Sequence, residues 1–104
     1  MVARQFDLVS NPSAKSRPQY PYLAILQSHL LAASNLTVVA PAIPGDDLAV
    51  TLTSVPFEFG DRSYMLLVGE LTTVDAHLIG RAVGSLLDYE DAIRRALDRV
   101  FSGF

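Results

Sequence analysis

The sequence predicts a mainly β domain with an antiparallel sheet of about five or more strands and one C-terminal α-helix. Three observations carry this prediction. Short runs of alternating apolar and polar residues recur through the first three-quarters of the chain, separated by Pro- and Gly-containing breaks. From Asp88 onward the apolar period changes from two to between three and four. Half of the 104 residues are hydrophobic and 18% are charged, a composition that folds around a core rather than remaining disordered. One domain spanning residues 1–104 is the expectation for this length.

The elements follow in order. Arg4 to Val9 alternates weakly, with Phe6 and Leu8 on one side and Gln5 and Asp7 on the other. Asn11 to Pro18 is rich in residues that bond their own backbone or fix φ, and reads as a turn or loop. Tyr20 to Gln27 is a strand of aromatic and aliphatic residues, with Pro21 marking its start or an edge position. Leu36 to Ala40 is another strand, expected to stop at Pro41. Pro44-Gly45-Asp46-Asp47 is a strong turn signal. Leu48 to Thr53 and Val55 to Phe59 both alternate as strands do, and Gly60-Asp61 begins a tight reversal into Ser63 to Val68.

The helix carries Ala92, Ile93, Ala96, Leu97, Val100, Phe101 and Phe104 at three- and four-residue steps. Asp88 is the expected N-cap, and Glu90 and Asp91 put negative charge in the first turn. Arg94, Arg95 and Arg99 lie toward the carbonyl end, and Glu90 with Arg94 and Asp91 with Arg95 form acid-first i,i+4 pairs. Gly103 is the expected stop.

Composition also excludes function classes. There is no cysteine, hence no disulfide, thiolate metal site or cysteine nucleophile. No apolar stretch approaches the ~18 residues needed to span a bilayer. The first ten residues reach Asp7 before any apolar run, unlike a secretory signal, so a cytoplasmic bacterial protein is expected. The net charge is −3, and only one of the eight basic residues is lysine. A protein that grips nucleic acid unaided needs a clustered basic surface, so direct nucleic-acid binding is not expected and the balance favours a protein partner.

The catalytic inventory is short. His29 and His77 stand far apart and outside any metal-ligand spacing, and read as surface or structural histidines. No nucleophile elbow is present, and Gly80 and Gly84 lack the Lys-Ser/Thr ending of a phosphate loop. Asp46-Asp47 reads as a solvated turn. No enzyme, cofactor or metal site is indicated. The unusual feature is Phe101-Ser102-Gly103-Phe104, where the helix carries its apolar pattern to the last residue. Phe101 and Phe104 close the core or a dimer interface, or else face a partner. Leu30-Leu31, placed where a strand should have ended, poses the same alternatives.

Taken in order, these residues resemble the CcdB family of toxins from bacterial toxin–antitoxin modules. The matching positions are Gln5-Phe6, Tyr20, Gln27-Ser28, Val39 with Pro41, Gly60-Asp61 with Tyr64, Ile79-Gly80, and Phe101 with Gly103. From Gly60 to Phe104 the family pattern aligns without a gap, whereas Ala42 to Ser54 aligns poorly. The resemblance implies an SH3-like barrel with a C-terminal helix, assembled as a homodimer. It implies a non-catalytic toxin that binds the A subunit of DNA gyrase, traps the enzyme on cleaved DNA, and is neutralised by a cognate antitoxin.

Carried over one position at a time, the gyrase-binding residues fall on Leu30, Leu31, Asp98, Phe101, Ser102, Gly103 and Phe104. Ser102 departs from the pattern, because it stands where the family has tryptophan and cannot supply an indole's area or cation–π attraction. Asp98 replaces a neutral polar residue. Two other functions share the expected fold or family: a MazF/Kid-type endoribonuclease toxin, and a non-toxic dimeric antitoxin-binding or co-repressor module. The negative charge and the lack of a basic groove count against the first, and Ser102 favours the second over a potent poison.

Overall fold

The computed structural model describes residues 3–27, 35–45 and 49–103. Its strands are β1 (Asp7–Ser10), β2 (Tyr22–Ile25), β3 (Leu36–Pro44), β4 (Ser54–Phe59), β5 (Arg62–Leu67), β6 (Thr72–Asp75) and β7 (Ala82–Ser85), followed by α1 (Glu90–Ser102). They form one antiparallel sheet in the order β4-β5-β3-β2-β1-β7, and β6 also pairs with β3. The curled sheet with its C-terminal helix is the expected SH3-like barrel architecture.

Both faces of the central strands are covered, which explains why Tyr22–Ile25 reads as a continuous apolar run rather than an alternating one. Leu8, Ala24, Ala40 and Ala42 point toward the main core, where Phe57, Leu66 and Val68 meet Ile93 and Ala96 of α1. Val9, Leu23, Ile25 and Val39 point to the other face and pack beneath Val74 and Ile79. Pro21 marks the start of β2, as expected, but β2 is a central strand between β1 and β3.

The β4–β5 hairpin turns at Gly60-Asp61, with Phe59 opposite Arg62 and Gly60 at φ 61°. Only glycine holds that conformation without a steric cost. β4 is an edge strand, yet its outward N–H groups are occupied. Ser54 N–H donates to Thr51 O, Pro56 has no N–H, and Glu58 N–H donates to the Tyr89 hydroxyl at 3.1 Å. This edge therefore offers no ladder of free donors to another strand. Across the barrel mouth the Phe59 ring lies so close to Gly84 of β7 that a Cβ there would sit 2.6 Å from the ring.

The structure corrects several sequence expectations. Arg4–Asp7 is a turn, with Asp7 N–H donating to Arg4 O, and β1 begins only at Asp7. Phe6 sits at φ 69°, held there because its N–H donates to Ile25 O and its carbonyl accepts from Leu86 N–H, both at 2.7 Å. β3 does not stop at Pro41 but runs on to Pro44. Gly45 N–H donates to Ser63 O on the β5 side, so by the two-residue period position 41 faces the same way. There β3 passes from its last β6 partner (Val39 opposite Thr72) to its first β5 partner (Ala42 opposite Leu66), and a missing N–H costs no ladder bond.

The expected strand Leu48–Thr53 is absent over Ala49–Thr53, and Leu48, like Asp46 and Asp47, lies outside the described residues. The segment folds instead into a turn bonded through Thr51 and Ser54, leaving Val50 and Leu52 exposed. Asp88 does not cap the helix. It lies in a 3-10 turn, Leu87–Tyr89, and Tyr89 occupies the N-cap position without a side-chain cap bond. Among the described residues the one ion pair is Arg94 with Glu90 at 2.7 Å, so the expected Asp91–Arg95 pair is not formed.

Candidate functional site

Helix α1 is held at its start and middle. The Tyr89 ring packs edge-on against Phe57, and its hydroxyl accepts the Glu58 N–H, fixing the helix entry against the β4 edge. Ile93 and Ala96 are fully buried, while Ala92, Leu97 and Val100 pack partly against the core. On one flank the Arg94 guanidinium, bonded to Glu90, lies 5.2 Å from the centre of the Phe6 ring. That combines an i,i+4 pair with a cation–π contact.

The end of the helix is different. Gly103 adopts the left-handed conformation at φ 76° and donates its N–H to Arg99 O, stopping the helix as its sequence position predicts. Beyond Ala96 none of the described side chains is fully buried, and Phe101 is 74% exposed. The choice posed for Phe101 is therefore resolved against the core of the single chain. Asp98, Phe101 and Ser102 are all exposed, and their spacings of three and four place them on one outward face. Gly103 continues from that face. These four of the seven sequence-derived site residues thus come together at one end of α1. Leu30, Leu31 and Phe104 lie outside the described residues, as does His29.

Sequence reasoning missed two further features, one at this tail and one at the other end of α1. Arg99 Nη1 donates to the carbonyl oxygen of Leu52 at 3.1 Å, bridging 47 positions of sequence. Its acceptor is a backbone atom in a segment expected to be a strand, so no side-chain pattern announced it. Leu52 and Val50 are themselves 71% and 61% exposed. A shallow groove of about 410 Å³ also lies along the β4–β5 hairpin, bordered by Gly45, Pro56, Glu58, Met65 and Tyr89. Ser63 Oγ donates to the Glu58 carboxylate there.

His77 is exposed in a 3-10 turn, with its backbone N–H on Asp75 Oδ1. Among the described residues no three His, Asp or Glu side chains converge as metal ligands. The described helix is too short and too polar to cross a membrane. Asn11, the buried polar side chain of the Asn11–Pro18 loop, is spent on structure: it donates to Ser16 Oγ and Tyr20 O and accepts from Ser13 N–H.

Comparison with known proteins gives a family and a fold. The family model described as "CcdB protein" matches residues 5–103. No curated protein matches the sequence. Among solved structures, the toxin MazF-mt6 of Mycobacterium tuberculosis superposes with a TM-score of 0.71 at 19% identity, over 94% of this chain and 96% of that one. The crystal structure of an Mtb toxin gives a TM-score of 0.68 at 22% identity, over 79% of this chain and 92% of that one. At such identities these likenesses establish the shared fold.

Proposed function

The chain belongs to the CcdB family, and from that premise we propose that it is the toxin of a bacterial toxin–antitoxin module, acting in the cytoplasm on DNA gyrase. It binds the A subunit of gyrase through the exposed end of α1, at Asp98, Phe101, Ser102 and Gly103, extended by Leu30, Leu31 and Phe104. It traps the gyrase–DNA cleavage complex without catalysing a reaction, and a cognate antitoxin removes it. The observation that carries this reading is the exposure of Phe101 at the end of a helix that is otherwise built into the core. A large aromatic side chain left 74% in water at a well-capped helix end is the form of a binding anchor.

The acting species is a homodimer. Exposed Leu36, Leu78 and Val83, together with the helix end, give the chain more apolar surface than a monomer of this size needs to show. Light scattering at micromolar concentration should give twice the chain mass, and a monomer would refute this part. Ser102 favours a second reading, a dimer that still binds its antitoxin but poisons gyrase weakly or not at all, because a serine offers little contact area where the family has tryptophan.

The test of the main reading is a supercoiling assay with gyrase from the protein's own species. The purified protein should slow supercoiling and accumulate cleaved DNA, and should leave DNA intact when gyrase is omitted. Degradation of naked RNA that disappears on mutating an internal residue would instead identify an endoribonuclease of the MazF type.

A further inference from the structure

The last fully buried side chain described in α1 is Ala96, so residues 97–102 extend about 9 Å beyond the helix's firm attachment to the core. Over that stretch only the half-buried Leu97 and Val100 pack against the core. Two contacts that slide easily fix the axis of a helix end poorly. The Arg99–Leu52 hydrogen bond is the directional contact between this stretch and the body of the protein.

Its acceptor is rigid. Leu52 occupies the corner of a turn closed by Ser54 N–H to Thr51 O. The turn is reinforced from within: Thr51 N–H donates to Ser54 Oγ at 2.7 Å, and Thr53 N–H donates to Thr51 Oγ1. It is also fastened from below, where Gly69 N–H donates to Thr53 O. Gly69 approaches so closely that a Cβ there would sit 2.7 Å from Thr53 Oγ1. The turn's internal bonds leave the Leu52 carbonyl as an outward acceptor on a fixed platform. A guanidinium on such a carbonyl is a charge-assisted bond with defined direction.

We propose that Arg99 is a positioning residue: by holding the Leu52 carbonyl it sets the direction in which Phe101, Ser102 and Gly103 are presented to a partner. Arg99 and Phe101 are two positions apart, roughly 200° around the helix, so Arg99 faces the body while Phe101 faces outward. Arg99 therefore acts on the partner through the helix and not by touching it. This deepens the gyrase-binding reading and rests on it for the identity of the partner, whereas the tether itself does not depend on that identity.

The test compares the wild-type protein with Arg99→Gln and Arg99→Lys. Residual dipolar couplings of the backbone N–H groups report the orientation of Phe101–Gly103 relative to Ala92–Ala96. In Arg99→Gln the tail couplings should change or average while those of Ala92–Ala96 hold, and amide exchange at Phe101–Gly103 should rise about tenfold, the scale of one exposed charge-assisted bond. Folding stability measured in urea should fall by no more than the ~1.4 kcal/mol that this tenfold change represents, and affinity for the isolated A subunit of gyrase should fall by about the same factor. Arg99→Lys, which keeps a charged donor, should recover part of both effects. Unchanged couplings in Arg99→Gln overturn the proposal. So do altered couplings with undiminished affinity in a protein whose wild type binds gyrase. If the wild type binds no gyrase, the gyrase reading fails, and the couplings alone decide whether Arg99 orients the tail.

Discussion

Replacing Phe101 with alanine should separate binding from folding. Phe101 is 74% exposed, so about a quarter of its surface is covered in the folded chain. Full burial of a phenylalanine stabilises by ~1.5–3 kcal/mol, so the covered quarter contributes ~0.4–0.8 kcal/mol. Alanine is the better helix former by a few tenths of a kcal/mol, which offsets part of that loss. The expected net change in folding stability is therefore ~0.5 kcal/mol or less. Ile93, about two helical turns earlier and 0% exposed, provides the contrast, since Ile93→Ala should cost ~2–5 kcal/mol.

Binding should respond far more strongly than folding. Truncation of an aromatic anchor at the centre of an interface commonly costs ≥ ~2 kcal/mol, about a thirtyfold loss of affinity. Urea denaturation of Phe101→Ala at two protein concentrations measures stability and reveals any role of Phe101 in self-association. Titration against the A subunit of gyrase measures binding. A concentration-independent loss above ~1.5 kcal/mol would mean that Phe101 is packed in the folded chain. Unchanged affinity with unchanged stability would mean that the exposed ring is not the anchor. Either result refutes the reasoning.

Two further substitutions probe the tail and the sheet. Ser102→Trp restores the family aromatic on the exposed face it shares with Asp98, and should strengthen gyrase binding and raise toxicity in cells; growth after induction and a direct titration check this, and no change in either would remove Ser102 from the contact surface. Gly45→Ala should destabilise by ~1–3 kcal/mol, because its Cβ would sit 2.8 Å from Tyr64 C and 2.9 Å from Met65 N, backbone atoms of β5 that cannot yield alone. A urea midpoint equal to wild type would contradict that close approach.

The parts of the fold that were legible in the sequence are those with a strong local signal. Gly60-Asp61 between two alternating runs marked the hairpin, and the period change after Asp88 marked α1 with its stop at Gly103. β6 and β7 carried no such signal, since Thr72–Asp75 and Ala82–Ser85 are short edge segments with only one partly buried residue each. Leu48–Thr53 misled for the opposite reason. Its alternation puts Val50 and Leu52 in water, and the side-chain bonds of Thr51 and Ser54 select a turn over a strand. Pro41 could not be placed mid-strand without knowing that β3 changes partners there. At the site, the apolar helix end was visible as an anomaly, and the exposed face of Asp98, Phe101 and Ser102 follows from helical spacing. The Arg99 tether was not visible, because a backbone carbonyl 47 residues away leaves no mark on the local sequence.

The measurement that bears most directly on the central claim is a titration of the full chain into the isolated A subunit of gyrase from its own species, without DNA. It is run beside a variant lacking Gly103 and Phe104. The account predicts saturable binding by the full chain, and loss of that binding in the truncated variant while its urea midpoint remains close to wild type. No binding by the full chain, or equal binding by the two proteins, would contradict the claim that this chain acts on gyrase through the end of its helix.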